Sequence, residues 1–99
     1  MNSIRNLMKQ AQQMQDRLQR ELAELVVEAT VGGGMVSVKM SGHKQVLKVT
    51  IDKEVLDPDD PSMLEDLVQA AVNEAARKVD DSMKDRMGML ASGLPLSLP

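Results

Sequence analysis

The chain has 99 residues, no Cys, Phe, Tyr or Trp, and a formal net charge of −3. The absence of cysteine excludes disulfides, thiolate nucleophiles and cysteine-ligated metal sites. A core of aliphatic residues and some of the nine methionines is small for a single copy, so the composition favours one domain that gains stability by oligomerisation. No stretch approaches the roughly 18 to 20 apolar residues that a membrane span requires, and no secretory signal is recognisable. We therefore expect a soluble cytoplasmic protein without a membrane partner.

The charges are segregated along the chain. Residues 1–20 carry a local charge of +3, whereas residues 52–66 contain seven acidic residues and one lysine, a local charge of −6. An acidic protein can therefore still present a basic segment to an anionic partner. The basic residues of the first segment are Arg5, Lys9, Arg17 and Arg20.

Apolar residues in the first segment repeat in steps of three and four, at Ile4, Leu7, Ala11, Met14 and Leu18. This spacing predicts a helix over about residues 3 to 24 whose apolar side packs against another helix. At about 1.5 Å per residue, such a helix is on the order of 30 Å long. Because the rest of a small domain cannot cover that length, part of the helix is expected to project.

The middle of the chain alternates apolar and polar residues with a period of two, which is typical of half-buried strands. The pattern predicts three strands, the first over residues 26–31, the second around Val36 to Met40 and the third from Leu47 to Ile51. Gly32, Gly33 and Gly34 favour a tight turn with positive φ between the first two strands. An antiparallel meander with one apolar side follows.

A second long helix is predicted to begin at Pro61, with an apolar stripe from Leu64 to Val79. The pattern weakens beyond Met83, so we expect a single domain over residues 1–87 and a flexible C-terminal tail over residues 88–99. The fold class is α+β, with the order α-β-β-β-α. No internal repeat is present.

The candidate catalytic and ligand-binding groups are few. His43, the only imidazole, lies in a predicted turn, where solvent exposure is the ordinary state. The acidic run from Asp52 to Asp60 lacks the glycine and closing glutamate of an EF-hand loop, and helix capping and solvation explain it better. Gly32 to Gly34 lack the residues that follow a phosphate-binding loop. We expect no enzyme activity, cofactor, metal or small-molecule substrate.

Four segments together resemble the YbaB/EbfC family of bacterial nucleoid-associated proteins. They run from Leu7 to Gln15 in the first helix, from Gly32 to Val36, over Ile51 and Asp52, and from Met63 to Ala75 in the second helix. The resemblance implies a homodimer with a shared sheet core and protruding helices that grip duplex DNA like tweezers. It also implies an effect on DNA conformation, nucleoid organisation and transcription.

The choice of DNA-contacting residues rests on charge and on placement in helices, since the resemblance supplies no compact DNA-reading motif. A solvated charged face and an anionic partner are both compatible with the basic residues of the first helix. An alternative function is a protein-interaction adaptor or chaperone-like dimer that uses a methionine-rich surface and the apolar tail. If DNA is the partner, the candidate phosphate contacts are Arg5, Lys9, Arg17, Arg20, Lys84 and Arg86, with Arg77 and Lys78 weaker because acidic residues surround them.

Overall fold

A computed structural model describes the backbone of residues 2–96 and the side chains of residues 2–88. Two long helices enclose three strands and a short 3-10 helix in the sequence. The order of elements confirms the predicted α-β-β-β-α arrangement. The elements are α1 (Asn2–Glu24), β1 (Val26–Val31), β2 (Val36–Ser41), β3 (Val46–Ile51), the 3-10 helix (Lys53–Val55) and α2 (Pro61–Leu96).

The three strands form an antiparallel meander in the order β1-β2-β3. Val31 pairs with Val36 across the first turn, and Gly32, Gly33 and Gly34 have φ of 64°, 68° and 99°. Side chains disfavour this left-handed region, so the glycines allow the chain to reverse here, as predicted. A bulge between Lys39 and Met40 interrupts the pairing of β2 with β3.

The core lies between the sheet and α2, which packs across β1 and β2. Small side chains on α2 let the helix approach the strands closely. Ala71 and Ala75 are completely buried there. The residues of the buried cluster are Ala29, Val36, Val38, Met40, Ala71, Ala75 and Val79. The predicted apolar stripe of the second helix is therefore confirmed, and it faces the sheet.

The two sides of the sheet differ in polarity. On the side away from α2, Lys39 forms a salt bridge of 3.9 Å with Glu28, and the hydroxyl groups of Thr30 and Ser37 lie 3.0 Å apart. On the α2 side, Val49 is in register with Val38, but α2 packs mainly over β1 and β2. The apolar side chains of this edge strand therefore remain exposed, by 46%, 53% and 42% for Val46, Leu47 and Val49.

The backbone of α2 continues to Leu96, beyond the point near Met83 where the apolar pattern weakens. Gly88 does not end the helix, because a glycine in a helix interior costs only about 1 kcal/mol relative to alanine. The domain limit at residue 87 and the flexibility of the tail stay predictions. Residues 97–99 of that tail lie outside the described residues.

α1 spans 23 residues, and none of them is buried. The molecule measures 70 × 26 × 15 Å, an elongated shape that agrees with the predicted projection. The expected packing of the apolar side of α1 on another helix is not seen among the described side chains of one chain: Ile4, Leu7 and Met14 are exposed by 62%, 64% and 45%. Among the described residues, α1 packs on the sheet at its C-terminal end, where Leu22 lies against Gly42 directly after β2.

Candidate nucleic-acid interface

Four of the six candidate DNA-contacting residues lie along α1, and the side chains of Arg5, Lys9, Arg17 and Arg20 are all exposed. A helix turns by about 100° per residue, so Arg5, Lys9 and Arg20 lie within an arc of about 60°, opposite the apolar side. Arg17 lies about 60° beyond Arg20. From Arg5 to Arg20 this basic face extends for about 22 Å along the helix axis.

The basic side chains of this face form no salt bridge within the described part of the chain, although Asp16 lies on the same side of the helix. None of the salt bridges between described side chains includes Arg5, Lys9, Arg17 or Arg20. The nearby acid Glu21 is engaged elsewhere, because its carboxylate lies 3.5 Å from the guanidinium of Arg86. The basic face is therefore available to an external anion.

The structure brings one of the two α2 candidates to α1. Arg86 is half-buried and forms a salt bridge with Glu21 that links α2 to α1. Glu21 directly follows Arg20 in the sequence. Lys84 is exposed and precedes Arg86 by two residues, which turns it by about 200° to another side of α2. Arg86 thus fixes the base of α1, whereas Lys84 lies apart from the α1 row.

Arg77 and Lys78 are occupied by neighbouring groups, in agreement with their lower ranking from the sequence. The Arg77 guanidinium donates to Asp81 at 2.7 Å and to Glu74, and Lys78 Nζ donates to the Glu28 carbonyl at 2.8 Å. The hydrogen bond from Arg77 lowers the pKa of the Glu74 carboxyl, and the same pair raises the pKa of Arg77. The charge of Arg77 is therefore compensated within the chain, and the ammonium group of Lys78 is held by a backbone carbonyl.

Arg77→Gln is expected to leave DNA affinity within about twofold of the wild type, because an exposed, already paired charge contributes little to an external contact. In the same variant the Glu74 pKa returns toward its ordinary value. In the wild type, the ionised Glu74 carboxylate makes a small contribution to the stability of the fold at pH values above the ordinary carboxyl pKa. This contribution is lost as the pH falls through the lowered pKa of the folded state. An NMR titration of the carboxyl groups measures the Glu74 pKa, and a DNA titration measures the affinity. Arg20→Gln is the matched control, and equal losses of DNA affinity would contradict the distinction.

The residues set aside in the sequence occupy ordinary structural positions. His43 is exposed in the turn after β2, and its backbone N–H donates to Ser41 Oγ at 3.3 Å. No group of three or more His, Asp or Glu residues suited to a metal ion occurs among the described residues. Likewise, no helix in the described part of the chain is long and apolar enough to span a membrane.

Comparison with known proteins identifies the family. The profile described as the YbaB/EbfC DNA-binding family matches residues 1–94. The chain belongs to the YbaB/EbfC family. The resemblance inferred from the four sequence segments is thus confirmed, and the family is one of nucleoid-associated DNA-binding proteins rather than a known enzyme family.

Relatives within the YbaB/EbfC family cover nearly the whole chain. A nucleoid-associated protein of Chloroflexus aurantiacus is 50% identical over 93 residues, which cover 91% of this chain and 93% of the relative. A nucleoid-associated protein of Acetivibrio thermocellus is 50% identical over 95 residues, covering 93% and 84%. The crystal structure of the uncharacterized protein HP0035 from Helicobacter pylori superposes with a TM-score of 0.74 at 22% identity, covering 91% of this chain and 96% of that one. This last likeness shows that the fold is shared.

Two structural contacts at this candidate interface have no signal in the sequence. The link between Glu21 and Arg86 joins residues far apart in the chain, and no spacing rule relates them. Gly42 lies against the backbone of Leu22, and its N–H donates to the Leu25 carbonyl at 3.0 Å. Both contacts set the direction in which α1 leaves the sheet.

Proposed function

We propose that this protein binds duplex DNA as a homodimer in the cytoplasm, at the nucleoid, and changes the conformation of the DNA that it holds. The observation that carries the proposal is the row of exposed basic side chains on α1, a helix with no buried residue; these side chains form no salt bridge with other described side chains. Altered DNA conformation would in turn affect nucleoid organisation and gene expression. The proposed contacts are Arg5, Lys9, Arg17, Arg20, Lys84 and Arg86.

The chemistry of these contacts favours phosphates over bases. The chain has no Phe, Tyr or Trp, so it lacks the aromatic surfaces on which proteins stack the bases of single strands. Lysine and arginine side chains spread along one helix face match the regular phosphates of a duplex backbone, which carry little sequence information. We therefore propose binding with low sequence preference.

The exposed apolar strip of β3 supports the dimer. Val46, Leu47 and Val49 lie on an edge strand away from the main contacts of α2, where an unpaired strand edge also offers hydrogen-bonding groups to another chain. Few large side chains are buried in the core of one copy. A second copy that covers this strip would enlarge the core, which fits the shared sheet expected for the family.

Val49→Asp is expected to convert the dimer to a monomer, because a buried, unpaired carboxylate at an interface costs several kcal/mol. Light scattering after size-exclusion chromatography should show the molar mass of a dimer for the wild type and that of a single chain for the Val49 variant. Thr50→Asp is the matched control, since Thr50 is the next residue and its side chain points to the polar side of the sheet. A dimer retained by the Val49 variant, or lost equally in both, would place the interface elsewhere.

DNA binding itself is tested by fluorescence anisotropy of a labelled mixed-sequence duplex at increasing salt. If each dimer neutralises ~5 phosphates, log K should fall with log salt with a slope of about −4 to −5. Two unrelated duplex sequences should give similar constants. Absence of saturable binding even at low salt would refute the proposed function and favour a protein partner.

A further inference from the structure

Opposite charges remain uncompensated at two places in the molecule. The salt bridges between described side chains include none of the seven acidic residues between 52 and 66 and none of the four basic residues in the first 20. These two segments carry local charges of −6 and +3. Complementary unpaired charge of this kind attracts one copy of a protein to another.

The acidic segment surrounds an apolar groove. This groove has a volume of about 300 Å³ and lies between the residues before α2 and the first turns of that helix. Leu56 on its wall is 55% exposed, and the nearby Met63 is 47% exposed. The carboxylates of Asp57, Asp59 and Asp60 are exposed at or beside the groove. The lining residues are Leu56, Asp57, Pro58, Pro61 and Leu64.

The other end of the molecule carries an apolar surface that could fill such a groove. Ile4, Leu7 and Met8 on α1 are exposed by 62%, 64% and 68%. By helical geometry they share one side, and Arg5 lies about 60° beyond Met8, between this side and the basic face. Lys9 and Arg20 lie on the opposite side, about 140° and 160° from Ile4.

The groove and α1 lie at opposite ends of the sheet. α1 meets the sheet at Gly42, beside Leu22, where β2 ends. The start of α2 lies at the other end, where Gly32 is in contact range of Leu67. A single chain therefore cannot bring its own basic helix end to its own groove, but a second copy can.

We propose that the N-terminal part of α1 docks into the groove of another copy, with Ile4, Leu7 and Met8 inside and Arg5 against the acidic rim. In the proposed contact the helix of one copy enters the groove of a second copy, whose own helix enters a third, so the contact is heterologous and builds a ring or an open chain. Lys9 and Arg20 point outward in the docked helix and remain accessible to DNA. This head-to-tail contact goes beyond the proposed dimer and does not depend on DNA binding.

Sedimentation velocity of the full-length protein without DNA tests the inference. At about 50 mM salt, where the Debye length is longer than at physiological ionic strength, the average mass should rise with protein concentration above that of the smallest species. Leu7→Asp removes the docking surface and Leu56→Asp blocks the groove, so each variant should stay at the smallest species. Asn6→Asp, on the opposite side of α1, is the matched control and should assemble like the wild type.

Mixing the two blocked variants tests whether the helix of one copy meets the groove of another. The Leu7 variant keeps an intact groove and the Leu56 variant keeps an intact docking helix, so the mixture should regain masses that neither variant reaches alone. A mixture that stays at the smallest species, or wild-type protein whose mass is constant with concentration, would overturn the inference. Asp59→Lys provides a second groove variant that leaves the apolar wall intact, with folding checked by circular dichroism. DNA binding enters none of these measurements, so either proposal can fail alone.

Discussion

Reversing the charges of Arg5 and Lys9 to glutamate should weaken duplex binding about 1000-fold at moderate salt. A homodimer would lose four attractions, each of about 1 kcal/mol for unit charges near 4 Å in water, and gain repulsion in their place. The slope of log K against log salt should also fall in magnitude, from about −4.5 to about −1, if four of ~5 phosphate contacts are lost. Anisotropy titrations at several salt concentrations measure both quantities.

The double variant Lys48→Glu with Lys53→Glu is the control for net charge. Both lysines are exposed and lie outside α1, and neither forms a salt bridge among the described residues. This control changes the charge of each chain by the same amount as the α1 variant. If the control variant weakens DNA binding as much as the Arg5 and Lys9 variant does, the loss of affinity is due to the change in net charge, and the proposed interface is wrong. A loss confined to one duplex sequence would argue for base contacts instead.

Gly42→Ala should destabilise the fold by about 2 to 3 kcal/mol, at the upper end of typical overpacking costs. A β-carbon at Gly42 would overlap the carbonyl oxygen of Leu22 and lie 3.0 Å from its Cα. Backbone atoms cannot rotate away as a side chain can, so α1 or the turn must shift. For a domain of this size, the melting temperature should fall by roughly 10 °C or more, as measured by circular dichroism.

Gly88→Ala adds the same methyl group as Gly42→Ala but is expected to change the stability of the fold in the opposite direction. Gly88 lies within α2, and an added β-carbon would meet nothing within 4 Å. Alanine there should stabilise the helix by about 0.5 to 1 kcal/mol, because glycine loses more conformational freedom on folding. A Gly42→Ala variant as stable as the wild type would contradict the close approach of Gly42 to α1, and destabilisation by Gly88→Ala would contradict the expected gain at a helix-interior glycine.

The strands and the start of α2 could be predicted because their signals are local. Alternation of apolar residues and the three glycines define β1, β2 and their turn, and Pro61 marks the first residue of α2. The end of α2 could not be predicted, since apolar periodicity weakens where the helix no longer packs on the sheet, although its backbone continues. The bulge at Lys39 and Met40 depends on pairing between strands and likewise lacks a local signal.

The candidate interface was predictable in composition but not in arrangement. The basic residues of α1 are visible in the sequence, and their position opposite the apolar side follows from helical spacing. Which charges are compensated depends on tertiary contacts: Glu21 pairs with Arg86 rather than with Arg17 or Arg20. Exposure of the apolar strip on β3 also required the structure, because the sequence cannot show how far α2 extends over the sheet.

The absence of buried residues from α1 has an evolutionary consequence. Substitutions at exposed positions usually change the free energy of unfolding by no more than about 0.5 kcal/mol, and most of α1 consists of such positions. Mutation can therefore add or remove positive charge along this helix with little risk to folding, whereas the junction at Gly42 tolerates almost no change. Selection can thus adjust the strength of DNA binding separately from the stability of the domain that bears it.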